Sequence, residues 1–337
     1  MQRTMTVTIK IVALMIGGLL LGSAVGQAQQ SASSPSSNRQ SLDDAWWTGP
    51  LLAPSAATLP PGHVLIEPYL FDVTTQGLYD SNGKRVRAPR NNEFGSLTYM
   101  NYGLFDRFTV GLIPTFGYND VSAGTNSAGI GVGDLTLQAQ YRLTQFREGH
   151  WLPTTSLNVQ ETLPTGAYDK LGNRPSDGLG SGACTTTLGL FSQTFFWMPN
   201  GRILRGRLNL QQAFSNNVTV QDVSVYGTSE GFRGHANPGS SLLVDLAAEY
   251  SMTREWVLAF DAIYRHQGNT AVTGYNTLNS NQPVQFNSGL SQEFGFAPAV
   301  EYNWKRSVGV IFGARFIGPG RNATHSITPV VAVNYVR

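Results

Sequence analysis

The residues able to do chemistry in this chain are few and mostly isolated. His63, His150, His235, His266 and His325 are scattered, with no His-x-x-x-His pair and no cysteine at metal-ligand spacing, so no zinc-type site is encoded. Cys184 stands alone and closes no intramolecular disulfide. The glycine-rich run LGNRPSDGLGSG opens no helix, which removes a phosphate loop. His266, with Ser288 and Ser291 nearby, is where a Ser/His lipid hydrolase could be assembled, but no orienting third group and no oxyanion donor accompany it. What does recur is charge placed inside alternating segments: Glu67, Asp134, Arg142, Arg205, Arg207, Asp245, Glu249, Asp261, Arg265, Glu293, Glu301 and Arg315. Such residues set ionic selectivity if they line a wet path, or form an ion-pair network if they fill one. Arg205 and Arg207 are the most specific pair, because two guanidiniums two residues apart require acidic neighbours or an anion. Asp245 and Glu249, one segment later, are the natural candidates.

The elements that must position these charges are strands. In GVGDLTLQAQYRL, Leu135, Leu137, Ala139, Tyr141 and Leu143 fall on one face and Asp134, Thr136, Gln138, Gln140 and Arg142 on the other. The same split separates Leu204, Leu208, Leu210 and Phe214 from Arg205, Arg207, Asn209 and Gln211. Trp256, Leu258, Phe260, Ala262 and Tyr264 likewise oppose Asp261 and Arg265. Twelve such segments are expected, at about 63–73, 94–103, 105–118, 132–144, 152–164, 182–196, 202–215, 240–252, 255–266, 289–303, 306–317 and 325–336. Many run to ten residues or more, longer than the roughly five or six of an ordinary soluble strand. Their connections alternate between short (LFD, QFREGHW, WMPNG, TR, WK) and long (74–93, 119–131, 165–181, 216–239, 267–288, 318–324). Together these features predict an all-β, closed, antiparallel up-and-down transmembrane barrel with short periplasmic turns and longer external loops. Lipid offers no hydrogen bonds, so the first strand must pair with the last. Two segments are ambiguous: the one around FGSLTYMNYG could slip by one residue, and ACTTTLGLFSQTFF has mixed faces.

Composition agrees with a barrel. Of 337 residues, 41% are apolar and only 13% charged, against roughly a quarter charged in ordinary soluble domains. The longest apolar run, Ile11 to Gly26, rules out a polytopic helical protein. That run follows Arg3 and Lys10 and precedes Gly26-Gln27-Ala28, so residues 1–28 are expected to be a cleaved signal peptide. Beyond residue 28 there are 21 basic and 21 acidic groups, which argues against nucleic acid as a partner. Residues 29–62 are rich in Ser and Pro and are expected to be a flexible segment, a tether under the barrel rim, with a plug inside the mouth as the alternative. Residues 63–337 are expected to form the barrel. The tryptophans cluster near this segment and the short turns, as in a periplasmic-side girdle.

The phrases LPTGAYDK (163–170), GVGDLTLQAQYRL before it and LGSGACTTTLGLFSQTF after it resemble those of the bacterial outer-membrane family labelled "MetA-pathway of phenol degradation". The opening WWTGPLLAPSAATLPPGHVLIEPYLFD is similar to the N-termini of that family, and the resemblance covers most of residues 45–337. It implies an outer-membrane channel or transporter in a Gram-negative cell, reached through the periplasm. Outer-membrane lipids, the barrel-assembly machinery and a small-molecule solute would be its partners, and it would need no cofactor. The expected function is passive passage of small compounds, aromatic or apolar ones among them. A structural or surface-interaction barrel with a filled lumen is the alternative, with a lipid hydrolase a remote third.

Overall fold

The computed structural model describes residues 39–337, so the expected signal peptide lies outside the described residues. Twelve strands form the barrel wall: β1 (Val64–Tyr79), β2 (Asn91–Phe105), β3 (Phe108–Ile113 and Thr115–Val121), β4 (Leu135–Thr144), β5 (Thr154–Leu163), β6 (Thr185–Trp197), β7 (Ile203–Ser215), β8 (Ser241–Ser251), β9 (Trp256–Gln267), β10 (Ser291–Lys305), β11 (Val308–Arg321) and β12 (Ala323–Val336). Each pairs antiparallel with its neighbours, and β1 closes the circle against β12, with Leu65 opposite Val336 and Tyr69 opposite Ala332. Pro114, which has no N–H to give to a ladder, interrupts β3.

The alternation read from sequence is the alternation of faces. Leu258 is 48% exposed on the lipid side of β9, whereas the next inward residue but one, Asp261, is fully buried. Phe260, Phe296 and Phe316 stack across β9, β10 and β11 on the lipid side, with ring centroids 6.3 and 5.0 Å apart. Trp256, Tyr302 and Trp304 form an aromatic cluster at the short-turn end, consistent with an interfacial girdle. In β2 the register is settled by Tyr99, which turns inward and meets the inward Tyr69 at 5.8 Å, leaving Phe94, Met100 and Tyr102 facing lipid. In β6 Leu188, Leu190 and Phe196 face lipid while Phe191 and Gln193 are buried inside.

Four connections differ from expectation. The first hairpin loop shortens to residues 80–90, and β11 and β12 are separated by Asn322 alone. Apolar alternation ends where a strand leaves the lipid, but the ladder continues through polar residues such as Thr74, Thr75, Thr324 and Ser326. The connections after β7 and β9 are not plain loops. They supply Val218–Gln221, Phe232–Asn237, Ala271–Asn276 and Gln282–Asn287, which form a separate four-stranded sheet in that order. Its short strands carry facing glycines: a Cβ on Gly234 would lie 2.6 Å from the Cα of Gly274. That close approach replaces the long alternation by which a strand is recognised.

The face assignment predicts unequal penalties at adjacent positions. Leu137→Arg should destabilise the barrel by roughly 2–4 kcal/mol where the side chain meets hydrocarbon near the bilayer midplane. Gln138→Arg, at an inward position that donates to Asn101 Oδ1 at 2.6 Å, should cost much less. Urea midpoints of the two variants refolded into bilayers check this. Equal shifts would reverse inside and outside.

Candidate functional site: the lumen and its inner segment

Residues 39–62, expected as a tether beneath the rim, lie largely inside the barrel. None of residues 45–62 belongs to a strand, yet Ala45, Leu51, Ala53 and Ala56 are buried. Small inward residues make the room. A Cβ on Gly313 would meet Leu51 at 2.7 Å, one on Gly309 would meet Thr48 at 2.1 Å, and one on Gly103 would strike the carbonyl of Pro60 at 2.0 Å. Leu51 then packs in an apolar pocket of Tyr69, Ala259, Ala297, Ile311, Val330 and Ala332.

The polar fastening of this segment is made mainly by its backbone. Glu301 accepts the amides of Thr48 at 2.6 Å and Gly49 at 3.2 Å. Asp261 accepts those of Leu51, Leu52 and Ala53 at 3.1, 3.3 and 3.1 Å. In return, segment carbonyls accept from Arg207 at Ala53 (2.6 Å), Asn209 at Pro54 (2.9 Å) and Gln140 at Ser55 (3.0 Å). Gln193 accepts from Ser55 and Ala56, and Asn303 from Thr48. These neutral partners, Gln140, Gln193, Asn209 and Asn303, were missed by a reading centred on charge. Their signal was simply their inward register.

Six expected lumen charges are buried together: Arg205, Arg207, Asp245, Glu249, Asp261 and Glu301. Strand register sets Arg205 opposite Glu249, and Arg205 donates to that carboxylate through Nε at 2.6 Å and again through Nη2. Arg207 Nε stands 3.0 Å from the same carboxylate. Glu249 thus takes both guanidiniums. Asp245, expected to share in the neutralisation, faces Asn209 instead, and neither of its oxygens has a hydrogen-bond partner among the described residues. Arg205 also stacks over Trp47 of the inner segment at 4.5 Å.

The other candidates lie apart from this cluster. Arg265 pairs with Glu293 at 3.4 Å towards the external end, where Arg315 is half-buried. Glu67 accepts from Asn334 at 3.4 Å. Arg142 sits at the short-turn rim, donating to the carbonyl of Asp106 at 3.0 Å. Asp134 lies one residue before β4, and it staples external loops rather than lining a passage. It accepts from the Gly166 amide (3.0 Å) and from the amide and hydroxyl of Ser181 (both 2.7 Å). Gly166 and Gly180 are in backbone contact there, so a Cβ on Gly180 would fall 2.4 Å from the Gly166 carbonyl oxygen. The phrases GVGD, LPTG and LGSG thus converge into one knot. Tyr226 caps it by donating to Ser181 O at 2.5 Å, and burial pushes its phenol up to about 12. As for a hydrolase, Ser291 is registered opposite Gln267 and so points to the face away from His266, while Ser288 is engaged with Thr270 and Gly289.

Between the inner segment and the wall of β1, β2, β4 and β12 remains a cavity of about 250 Å³ lined by Leu51, Glu67, Tyr69, Tyr99, Gln138 and Asn334, among others. At the rim, Asp43 and Asp44 tie the segment to Arg306 and Arg254 at 2.6 and 2.5 Å. The Arg254 hydrogen bond holds the Asp44 carboxyl below its ordinary range.

Closed barrels of this kind span the outer membrane of Gram-negative cells. The fold is similar to that of the COG4313 outer membrane channel from Pseudomonas putida F1, with a TM-score of 0.65 at 17% identity over 84% of this chain and 98% of that one. The NanC porin covers 80% of this chain and 98% of its own at 8% identity, with a TM-score of 0.44. No curated protein matches the chain in sequence. A family model does, over residues 72–328, which takes in ten complete strands of the wall and the whole external knot: the chain belongs to the family described as "Putative MetA-pathway of phenol degradation".

Proposed function

We propose that this barrel is a passive outer-membrane channel for small compounds, single-ring aromatic and apolar ones included, whose inner segment narrows the route. The observation that carries the reading is the construction of the lumen. A twelve-stranded wall wide enough to hold an extended chain is filled by a segment that belongs to no strand and is fastened mainly by hydrogen bonds. The cavity beside it, about 250 Å³, exceeds the roughly 150 Å³ that admits benzene in an apolar protein interior. Its lining combines Leu51, Tyr69 and Tyr99 with Gln138 and Asn334, which suits a ring bearing a hydroxyl. The family description supports the same solute class. Insertion by the barrel-assembly machinery belongs to this proposal, as does a role for the inward charges in selectivity.

The filled-lumen alternative draws support from the buried ion pairs, and the two readings separate by experiment. Replacing Asp261 and Glu301 together by Ala removes two buried carboxyl groups, the acceptors of five segment amides. On the channel reading, the variant should stay heat-modifiable in SDS gels while its conductance in planar bilayers, and liposome swelling by phenolic solutes, rise above wild type. Absence of conductance and swelling in both proteins would establish the filled barrel.

The Arg205→Ala, Arg207→Ala double variant should behave in the opposite way. It leaves Glu249 buried without either guanidinium, a loss of about 3–5 kcal/mol for a broken buried pair, read as a lowered urea midpoint. Restoring neutrality with Glu249→Gln in the same chain should recover much of that loss.

A further inference from the structure

The short-turn rim carries a second cavity, of about 600 Å³, between the β2–β3 turn and the β4–β5 turn. Its wall holds three guanidiniums, Arg107, Arg142 and Arg147, together with His150, against one carboxylate, that of Asp106. Three other arginines at this rim are partnered within the chain: Arg254 by Asp44, Arg306 by Asp43 and Arg39 by Glu148 at 2.7 Å. The last pairing matters most, because it engages the one carboxylate of the β4–β5 turn, that of Glu148, with an arginine outside the cavity. Among the described residues, no carboxylate lies within ion-pair distance of Arg107, Arg142 or Arg147. Arg142 is held in place by the carbonyl of Asp106, which also accepts from Thr58 at 3.1 Å, so one guanidinium is pre-oriented with donors to spare. Converging, unpaired arginines around one cavity call for an anion, and their forked donors match phosphate oxygens.

The apolar surroundings indicate which anion. Leu143, on the lipid face of β4, and Leu152 both line the cavity and are exposed, and Trp151 between His150 and Leu152 is 89% exposed. An exposed tryptophan beside leucines at a barrel rim lies at headgroup level. We infer that this rim cavity binds the phosphodiester headgroup of an anionic phospholipid in the inner leaflet, its acyl chains lying against the belt below Leu143 and Leu152. A basic pocket at the membrane surface is the form in which such headgroups are held.

Native mass spectrometry of the full barrel in detergent, with phosphatidylglycerol or phosphatidylcholine added, tests this. Phosphatidylglycerol should be retained in preference to phosphatidylcholine. Arg107→Gln with Arg147→Gln, both exposed turn residues, should reduce that retention roughly tenfold while heat-modifiability is kept. Equal retention of the two lipids, or phosphatidylglycerol binding unchanged in the double variant, would overturn the site. Displacement of the lipid by sn-glycerol 3-phosphate at equal concentration would show a soluble-anion site and so overturn the lipid assignment.

Discussion

Hydrogen bonds from the backbone of residues 48–53 to Asp261 and Glu301 are the constraint on which the interior depends. Four carboxylates and two guanidiniums are buried in the lumen on the adjacent strands β7 to β10, and both guanidiniums are committed to Glu249. Asp261 and Glu301 therefore have no cationic partner, and a buried carboxylate without hydrogen bonds is strongly unfavourable. The inner segment has the complementary problem: an extended chain outside any sheet carries amides that must be paired once it is buried. The segment amides supply partners to both Asp261 oxygens and to one Glu301 oxygen, and are themselves paired in return. The acidic inward face of β9 and β10 and the non-strand conformation of the segment are thus one design.

The same logic explains where the small residues lie. Gly103, Gly309 and Gly313 sit inward on β2 and β11, where the segment's carbonyls and side chains approach the wall, and Leu51 enters a pocket floored by alanines. At the external end, Gly166 and Gly180 allow the two ends of the β5–β6 loop to touch so that Asp134 can bind both. Close backbone approach, rather than flexibility, is the work of these glycines. One set shapes the lumen and the other holds its mouth.

The wall was legible in the sequence because lipid imposes a period of two that no competing interaction disturbs. Leu137 against Gln138, or Leu258 against Asp261, could be assigned from alternation alone. Ends of strands were less legible, since Thr74 or Ser326 in a ladder above the lipid resembles a loop residue. The inner segment was harder still: nothing in WWTGPLLAPSAATLPPG specifies that its amides meet carboxylates more than two hundred residues away. Asp134 misled for a related reason. Its inward register suggested a lumen role, but its partners, Gly166 and Ser181, come from the β5–β6 loop, a contact no local pattern contains.

That the segment is held chiefly through its main chain bears on how the lumen can work. Side-chain pairs such as Arg205 with Glu249 are strong because water is excluded from them, and breaking one strands a charge. Amide-to-carboxylate bonds are different, because water can take the place of either partner once it reaches them, and both groups then remain solvated. A strand in this position would be bound along its whole length by neighbouring strands and could leave only by opening the wall. Residues 46–59 are bound at discrete points on a wall that closes without them. Wetting of the lumen therefore weakens the hold on the segment while leaving the barrel ladder intact, and this separates the stability of the wall from the occupancy of its interior.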